Sequence, residues 1–118
     1  MEMPVRAFIY ITLLFFLAIG CAPKSLEPEA LHEGIRFSYY APSATNVSIV
    51  GSFNRWSPGH DRLMVPDKKG IWSIVLPLLP GQYEYRFVVN NKEWVLDPSV
   101  PSVDDGLGDR NSVLVVEP

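Results

Sequence analysis

Three apolar side chains lie in turn-forming segments, where small polar residues are the rule. Trp56 belongs to the run Gly51-Ser-Phe-Asn-Arg-Trp-Ser-Pro58, which follows a strand-like alternating pattern and leads into a Pro-Gly turn. Trp94 comes just after an Asn-Asn turn, and Leu107 stands between two glycines. The local sequence therefore predicts that all three side chains are exposed, and exposed apolar groups of this kind indicate a ligand surface.

Flat indole rings suit the apolar C–H face of a sugar, while amide or guanidinium groups can hydrogen-bond the hydroxyls at its rim. Burying about 80 Å² of such surface is worth roughly 2 kcal/mol, so a single ring would bind weakly. Two Trp residues on one surface with a few placed polar groups favour a repeating polymer over a monosaccharide. The expected ligand is a polysaccharide.

Four segments of the chain closely resemble the glycogen-binding domain of the AMP-activated protein kinase β subunit. That domain belongs to carbohydrate-binding module family 48 and the isoamylase N-terminal early-set domains. The resemblance covers roughly residues 34–118, and its segments agree in order and spacing. They are Gly51-Ser-Phe-Asn-Arg-Trp-Ser57, Gly81-Gln-Tyr-Glu-Tyr-Arg-Phe-Val-Val89, Glu93-Trp-Val-Leu-Asp-Pro98 and Leu107-Gly-Asp-Arg-Asn111.

The resemblance implies a carbohydrate site of five residues. In the family, residues matching Trp56 and Trp94 stack on glucose units, and a leucine matching Leu107 inserts beside the curved glucan. A basic residue matching Arg86 and an asparagine matching Asn111 hydrogen-bond hydroxyls. The kinase subunits usually have Lys at the position of Arg86, and Arg keeps the charge but presents a planar fork of donors.

Each of these residues also has a purely structural explanation. Trp56 could be a lid over one end of the core, and Trp94 could pair across its hairpin. Leu107 could plug the core, Asn111 could close a turn, and Arg86 could be a solvated cross-strand partner of Glu93.

The elements that must position the site are strands. Apolar residues alternate with polar ones, so that Tyr85 and Phe87 are predicted to face the core and Arg86 to face outward. Trp72 lies in a continuous apolar strand and is assigned to the core. The predicted strands are 34–40, 46–52, 62–65, 70–77, 82–90, 92–96 and 112–117. About seven short strands without a helical pattern favour an all-β, immunoglobulin-like (early-set) antiparallel β-sandwich, which the resemblance implies independently.

Composition argues against several other classes of protein. The net charge of −3 and the scattered basic residues do not favour nucleic-acid binding. The two histidines have no carboxylates at the spacing that a zinc site needs. The Asp residues at 97, 104, 105 and 109 do not have the regular spacing of a calcium-binding loop. Their neighbours are Pro, Gly and Ser, which do not favour the pair of carboxylates in one cleft that a glycosidase needs. We expect no catalysis, no metal and no cofactor.

The N-terminal residues predict export. Arg6 precedes an apolar run that is shorter than the roughly 20 residues needed to span a bilayer, and Leu17-Ala-Ile-Gly-Cys21 is similar to a bacterial lipobox. We interpret residues 1–20 as a lipoprotein signal peptide, 21–33 as the lipidated Cys21 and a mostly disordered tether, and 34–118 as one domain. The alternatives are plain secretion or an uncleaved anchor. Ala22 after the cysteine weakly favours an outer membrane.

These inferences combine into one functional hypothesis. The chain is expected to be a lipid-anchored module of the bacterial cell envelope that binds an α-1,4-linked glucan, such as glycogen, starch or maltodextrin, without cleaving it. The alternative is an envelope interaction module of the same fold, in which the exposed Trp pair docks another protein.

We expect Cys21→Ala to abolish lipid attachment, because the thiol is the group that takes the thioether-linked diacylglycerol. Membrane fractionation and the intact mass of the purified chain measure the effect. A variant that stays in the membrane fraction at its precursor mass would instead indicate a retained, uncleaved anchor.

Overall fold

The computed structural model describes residues 26–57 and 62–118, and these contain nine β-strands. The strands are β1 (Glu29–Leu31), β2 (Gly34–Tyr40), β3 (Val47–Gly51), β4 (Val65–Pro66), β5 (Ile71–Leu76), β6 (Gly81–Val89), β7 (Glu93–Val95), β8 (Ser102–Asp104) and β9 (Arg110–Val116). Within the described ranges, no helix has the length and apolar character needed to cross a membrane.

The strands form two antiparallel sheets that face each other. The β2 sheet has the order β1-β2-β5-β4, and the β6 sheet has the order β3-β6-β9-β8, with β7 also paired to β6. The immunoglobulin-like β-sandwich predicted from the alternation is therefore confirmed. Each of the seven predicted strands has a counterpart, and β1 and β8 are additional.

Aromatic residues join the two sheets. The ring centroids of Phe37 in β2 and Tyr85 in β6 lie 5.0 Å apart in an edge-on arrangement, and those of Tyr39 and Phe87 lie 4.8 Å apart. Such pairs stabilise a core beyond the area that they bury. Trp72 is buried as predicted, and its indole N–H donates to the carbonyl oxygen of Ala41 at 2.9 Å.

One carboxylate is buried at the edge of this core. The hydroxyl of Tyr85 donates to Oδ2 of Asp97 at 2.7 Å, and the backbone N–H of Asp97 donates to Oγ of Ser112 at 2.8 Å. The backbone N–H and hydroxyl of Ser99 both donate to Oδ1 of Asp97. Burial, and then the hydrogen bond to Asp97, raises the pKa of Tyr85. These bonds fasten the segment after β7 to β6 and β9.

The structure differs from the expectation of a disordered tether up to residue 33. Glu29–Leu31 forms β1, which pairs with the start of β2, and Arg36 donates to Oε1 of Glu29 at 3.0 Å. A strand of three residues carries too few alternating positions to be recognised, and Pro28 obscured it. The signal segment, Cys21 and the rest of the predicted tether before Leu26 lie outside the described residues.

We expect Tyr85→Phe to lower the free energy of unfolding by about 1–3 kcal/mol, because it leaves a buried oxygen of Asp97 without its donor. Chemical denaturation followed by tryptophan fluorescence measures the change. The matched control is Tyr83→Phe, which removes a solvent-accessible hydroxyl bonded to the carbonyl oxygen of Leu79. An equal loss in both variants would contradict a special role for the Asp97 bond.

Candidate functional site

Arg86 occupies a junction in the β6 sheet. One edge of β6 pairs with β3, where Arg86 lies opposite Val50. The other edge pairs with β9 as far as Tyr85 and with β7 from Phe87 onward. The side chain of Arg86 therefore leaves the sheet, on the face away from the core, where β7 and β9 meet.

Both predicted tryptophans contact this guanidinium. The guanidinium carbon of Arg86 lies 5.3 Å from the ring centroid of Trp94 and 6.0 Å from that of Trp56, within the range of a cation–π interaction. Its Nη1 donates to Oδ2 of Asp109 at 3.0 Å, and the Arg86 side chain is only 17% exposed. The alternative of a solvated cross-strand partner of Glu93 is wrong, because Glu93 lies opposite the inward-facing Val89.

Trp94 pairs across the β6–β7 hairpin with Val88 and is still 42% exposed. The cross-strand contact given above as its structural explanation is therefore present together with a solvent-facing ring. Asn90 and Asn91 form the hairpin turn with φ angles of 55° and 58°, the left-handed region that asparagine tolerates better than most residues.

The Trp56 turn is held by Asn54. The amide of Asn54 accepts from the backbone N–H of Gly51 and donates to the carbonyl oxygen of Ile49, while the carbonyl oxygen of Gly51 accepts from the backbone N–H of Trp56. Arg55 and Trp56 both have left-handed φ angles, 58° and 60°, which are unfavourable for side chains of this size. The turn is thus fixed in a strained shape, and Trp56 is half-buried rather than freely exposed.

Asp105 builds the loop that carries Leu107. Its Oδ1 accepts from the backbone N–H of Leu107 at 2.7 Å and of Asp109 at 3.1 Å, while Gly106 and Gly108 supply φ angles of 81° and 92°. The Leu107 side chain is 90% exposed, so the alternative of a core plug is wrong. An apolar side chain held out in water by an ordered loop is available for contact with a ligand.

Asn111 lies in β9 and is only 6% exposed, with its Nδ2 donating to Oε1 of Glu84 at 3.1 Å. It lines an open groove of about 360 Å³ on the outer face of the β6 sheet. The described residues that line this groove are Ser52, Trp56, Glu84, Arg86, Asp105, Leu107 and Asn111.

The structure thus brings four of the five predicted site residues to one groove and links the fifth, Trp94, to it through Arg86. Sequence reasoning did not select Glu84, Asp105 or Asp109 as parts of the site. The sequence does contain a signal for Glu84, because the alternation of β6 puts it on the same outer face as Arg86 and opposite to the inward-facing Tyr85. The roles of Asp105 and Asp109 depend on loop hydrogen bonds and an ion pair that no local pattern predicts.

The sequence of this domain matches a known protein family. Residues 20–99 match the model of carbohydrate-binding module 48, the isoamylase N-terminal domain. The chain belongs to this family. Trp56, Arg86 and Trp94 fall inside the matched range, whereas Leu107 and Asn111 lie beyond it. The described domain is therefore a carbohydrate-binding module, which is a non-catalytic class of domain.

Proteins similar to this chain include 1,4-alpha-glucan branching enzymes named GlgB. The enzyme of Mycobacterium sp. (strain KMS) is 30% identical over 79 residues, which is 66% of this chain and 10% of the enzyme. That of Nitrosomonas eutropha is 40% identical over 58 residues, 49% of this chain and 8% of the enzyme. That of Francisella tularensis subsp. novicida is 39% identical over 62 residues, which is 52% of this chain and 10% of the enzyme. The similarity covers a tenth or less of each enzyme.

We expect the hydrogen bonds to Asp105 that order the Leu107 loop to weaken only below the ordinary pKa of an aspartate. The backbone N–H of Leu107, together with that of Asp109 and the charge of Arg86, lowers the pKa of the Asp105 carboxyl below its ordinary value of 3.8. The stabilisation is therefore complete above that value and is lost as the pH falls through the lower pKa of the folded protein. The amide chemical shift of Leu107, followed by NMR against pH, should have its midpoint below 3.8.

Asp105→Asn should remove this titration. The matched control is Asp67→Asn, which affects a similar turn in which Asp67 accepts from the backbone N–H groups of Lys69 and Ile71. A midpoint at or above the ordinary aspartate value would contradict the proposed role of Asp105.

Proposed function

We propose that this module binds an α-1,4-linked glucan on the outer face of the β6 sheet without cleaving it. The observation that carries the proposal is the position of Arg86, whose guanidinium lies against both indoles and beside the groove. This arrangement collects apolar rings and hydrogen-bonding groups on one solvent-facing surface.

The composition of the surface suits a sugar polymer. Trp56, Trp94 and Leu107 offer apolar contact to the C–H faces of glucose units, and Arg86 offers donors to hydroxyl oxygens. Glu84 offers oxygen acceptors to hydroxyl protons, and its hydrogen-bond partner Asn111 lines the same groove. Because Trp94 extends this surface beyond the groove that Trp56 lines, a chain of several glucose units can use more of it than a single unit can.

The comparisons support the same ligand class. The matched family is by name a carbohydrate-binding module, and the similar enzymes are by name glucan-branching enzymes that contain a region like this one. Similarity of a module alone does not transfer an activity, so we restrict the proposal to binding.

The proposal includes export and lipid attachment at Cys21. It rests on the apolar N-terminal run and the lipobox-like residues before Cys21. In that location, the glucan would be an environmental dextrin or an α-glucan of the cell envelope.

We expect Trp56→Ala and Trp94→Ala each to weaken binding to maltoheptaose by about thirtyfold. The reason is that each change removes a stacking surface worth roughly 2 kcal/mol. Retention on amylose resin and isothermal titration calorimetry measure the loss, and circular dichroism checks that both variants fold.

The matched control is Tyr40→Ala, which removes an exposed aromatic side chain from the β2 sheet and should leave binding unchanged. Folded Trp variants with wild-type retention would refute this binding surface. If the wild-type protein ignores maltodextrin and instead captures a specific envelope protein through the same tryptophans, the protein-docking alternative is correct.

A further inference from the structure

The groove carries more negative than positive charge. Glu84 and Asp105 line it, and the carboxylate of Asp109 is paired with Arg86. Among the described residues that line the groove, Arg86 is the single cation. The nearby Arg110 directs its guanidinium to the hydroxyl and carbonyl oxygens of Ser102 on β8. Asp109 therefore neutralises the guanidinium that faces the groove. The carboxylates of Glu84 and Asp105 then give the groove an excess of negative charge.

Glu84 also sets the orientation of the Asn111 amide. An ionised carboxylate can only accept hydrogen bonds, so the amide must turn its NH₂ group toward Glu84. This turns Oδ1 of Asn111 away from Glu84, and that oxygen is buried without a protein partner. Because that oxygen has almost no accessible surface, Glu84 is the member of this pair that offers an acceptor to the groove.

Such an acceptor distinguishes hydroxyls from anionic substituents. A sugar hydroxyl can donate to the carboxylate of Glu84, whereas an ionised phosphate, sulfate or carboxylate substituent has only acceptors to offer. It would also meet the charge of Glu84 at close range. Like charges about 4 Å apart in water repel each other enough to lower an affinity about fivefold, and salt screens this effect.

We propose that Glu84 is a specificity-determining residue that makes the groove select uncharged glucan over saccharides that carry anionic groups. The inference rests on the proposed glucan binding and adds the chemical class of glucan that the site accepts. Glu84 acts directly, by accepting hydrogen bonds from sugar hydroxyls and repelling anions.

The test compares maltoheptaose with the same oligosaccharide bearing one phosphate monoester. Calorimetry would use the full chain in a detergent without a sugar headgroup, at about 0.01 M and about 1 M NaCl, where the Debye length is about 30 Å and 3 Å. The wild-type protein should prefer the neutral ligand about fivefold or more at low salt, and the preference should shrink at high salt.

Three substitutions separate charge from structure. Glu84→Gln should reduce the low-salt preference about fivefold, whereas Glu84→Asp, which keeps the charge, should retain it. The control is Glu33→Gln, which removes the same charge from an exposed loop between β1 and β2 and should change nothing.

Equal affinity of the wild-type protein for both ligands would overturn the inference, and so would an unchanged preference in folded Glu84→Gln. Either result with intact maltoheptaose binding leaves the proposed function standing. If the wild-type protein does not bind maltoheptaose, the proposed function fails, and this inference fails with it. The wild-type comparison decides the matter even if a substitution prevents folding.

Discussion

The guanidinium of Arg86 is the group on which the geometry of this surface depends. A cation that is mostly removed from water is costly unless it is paired, and here the partners come from three separate segments. Asp109 supplies the countercharge from the loop after β8, while Trp56 and Trp94 supply ring faces from the turn after β3 and from β7. Since Arg86 is fixed in the long strand β6, with which β3, β7 and β9 all pair, its side chain gathers these three side chains around one point.

The strand that carries Arg86 also carries the core. Immediately before it, Tyr85 turns inward to the aromatic contact with Phe37 and to the hydrogen bond with Asp97, and Phe87 follows on the same inner side. The alternation of a β-strand thus couples the packing of the sandwich to the position of the outward residues. The Asp97 bonds secure the segment after β7, which limits how far Trp94 can move relative to Arg86.

Much of this could be predicted from the sequence. The alternation of apolar and polar residues located the main strands. It also predicted that Arg86 faces away from the core while Tyr85 and Phe87 face into it, because alternation is a local property of the backbone. The glycines around Leu107 correctly predicted an exposed side chain. The short strands β1 and β8 escaped notice because three residues do not establish a period.

The remaining features depend on which strands become neighbours. The bond between Glu84 and Asn111 joins residues 27 positions apart, and the ion pair between Arg86 and Asp109 joins residues 23 positions apart. Both follow from the pairing of β6 with β9, and single residues do not reveal strand pairing. The half-burial of Trp56 likewise results from a turn with two successive left-handed residues, for which Arg and Trp give no local signal.

The place where the described chain enters the sandwich has a geometric consequence. β1 is an edge strand of the β2 sheet, whereas the groove opens on the far side of the β6 sheet, so the thickness of the core separates the two. If the N-terminal segment is tied to a lipid surface, the polymer would approach from the side turned toward bulk solution. Long or branched chains would then reach the protein without steric hindrance from the surface that holds it.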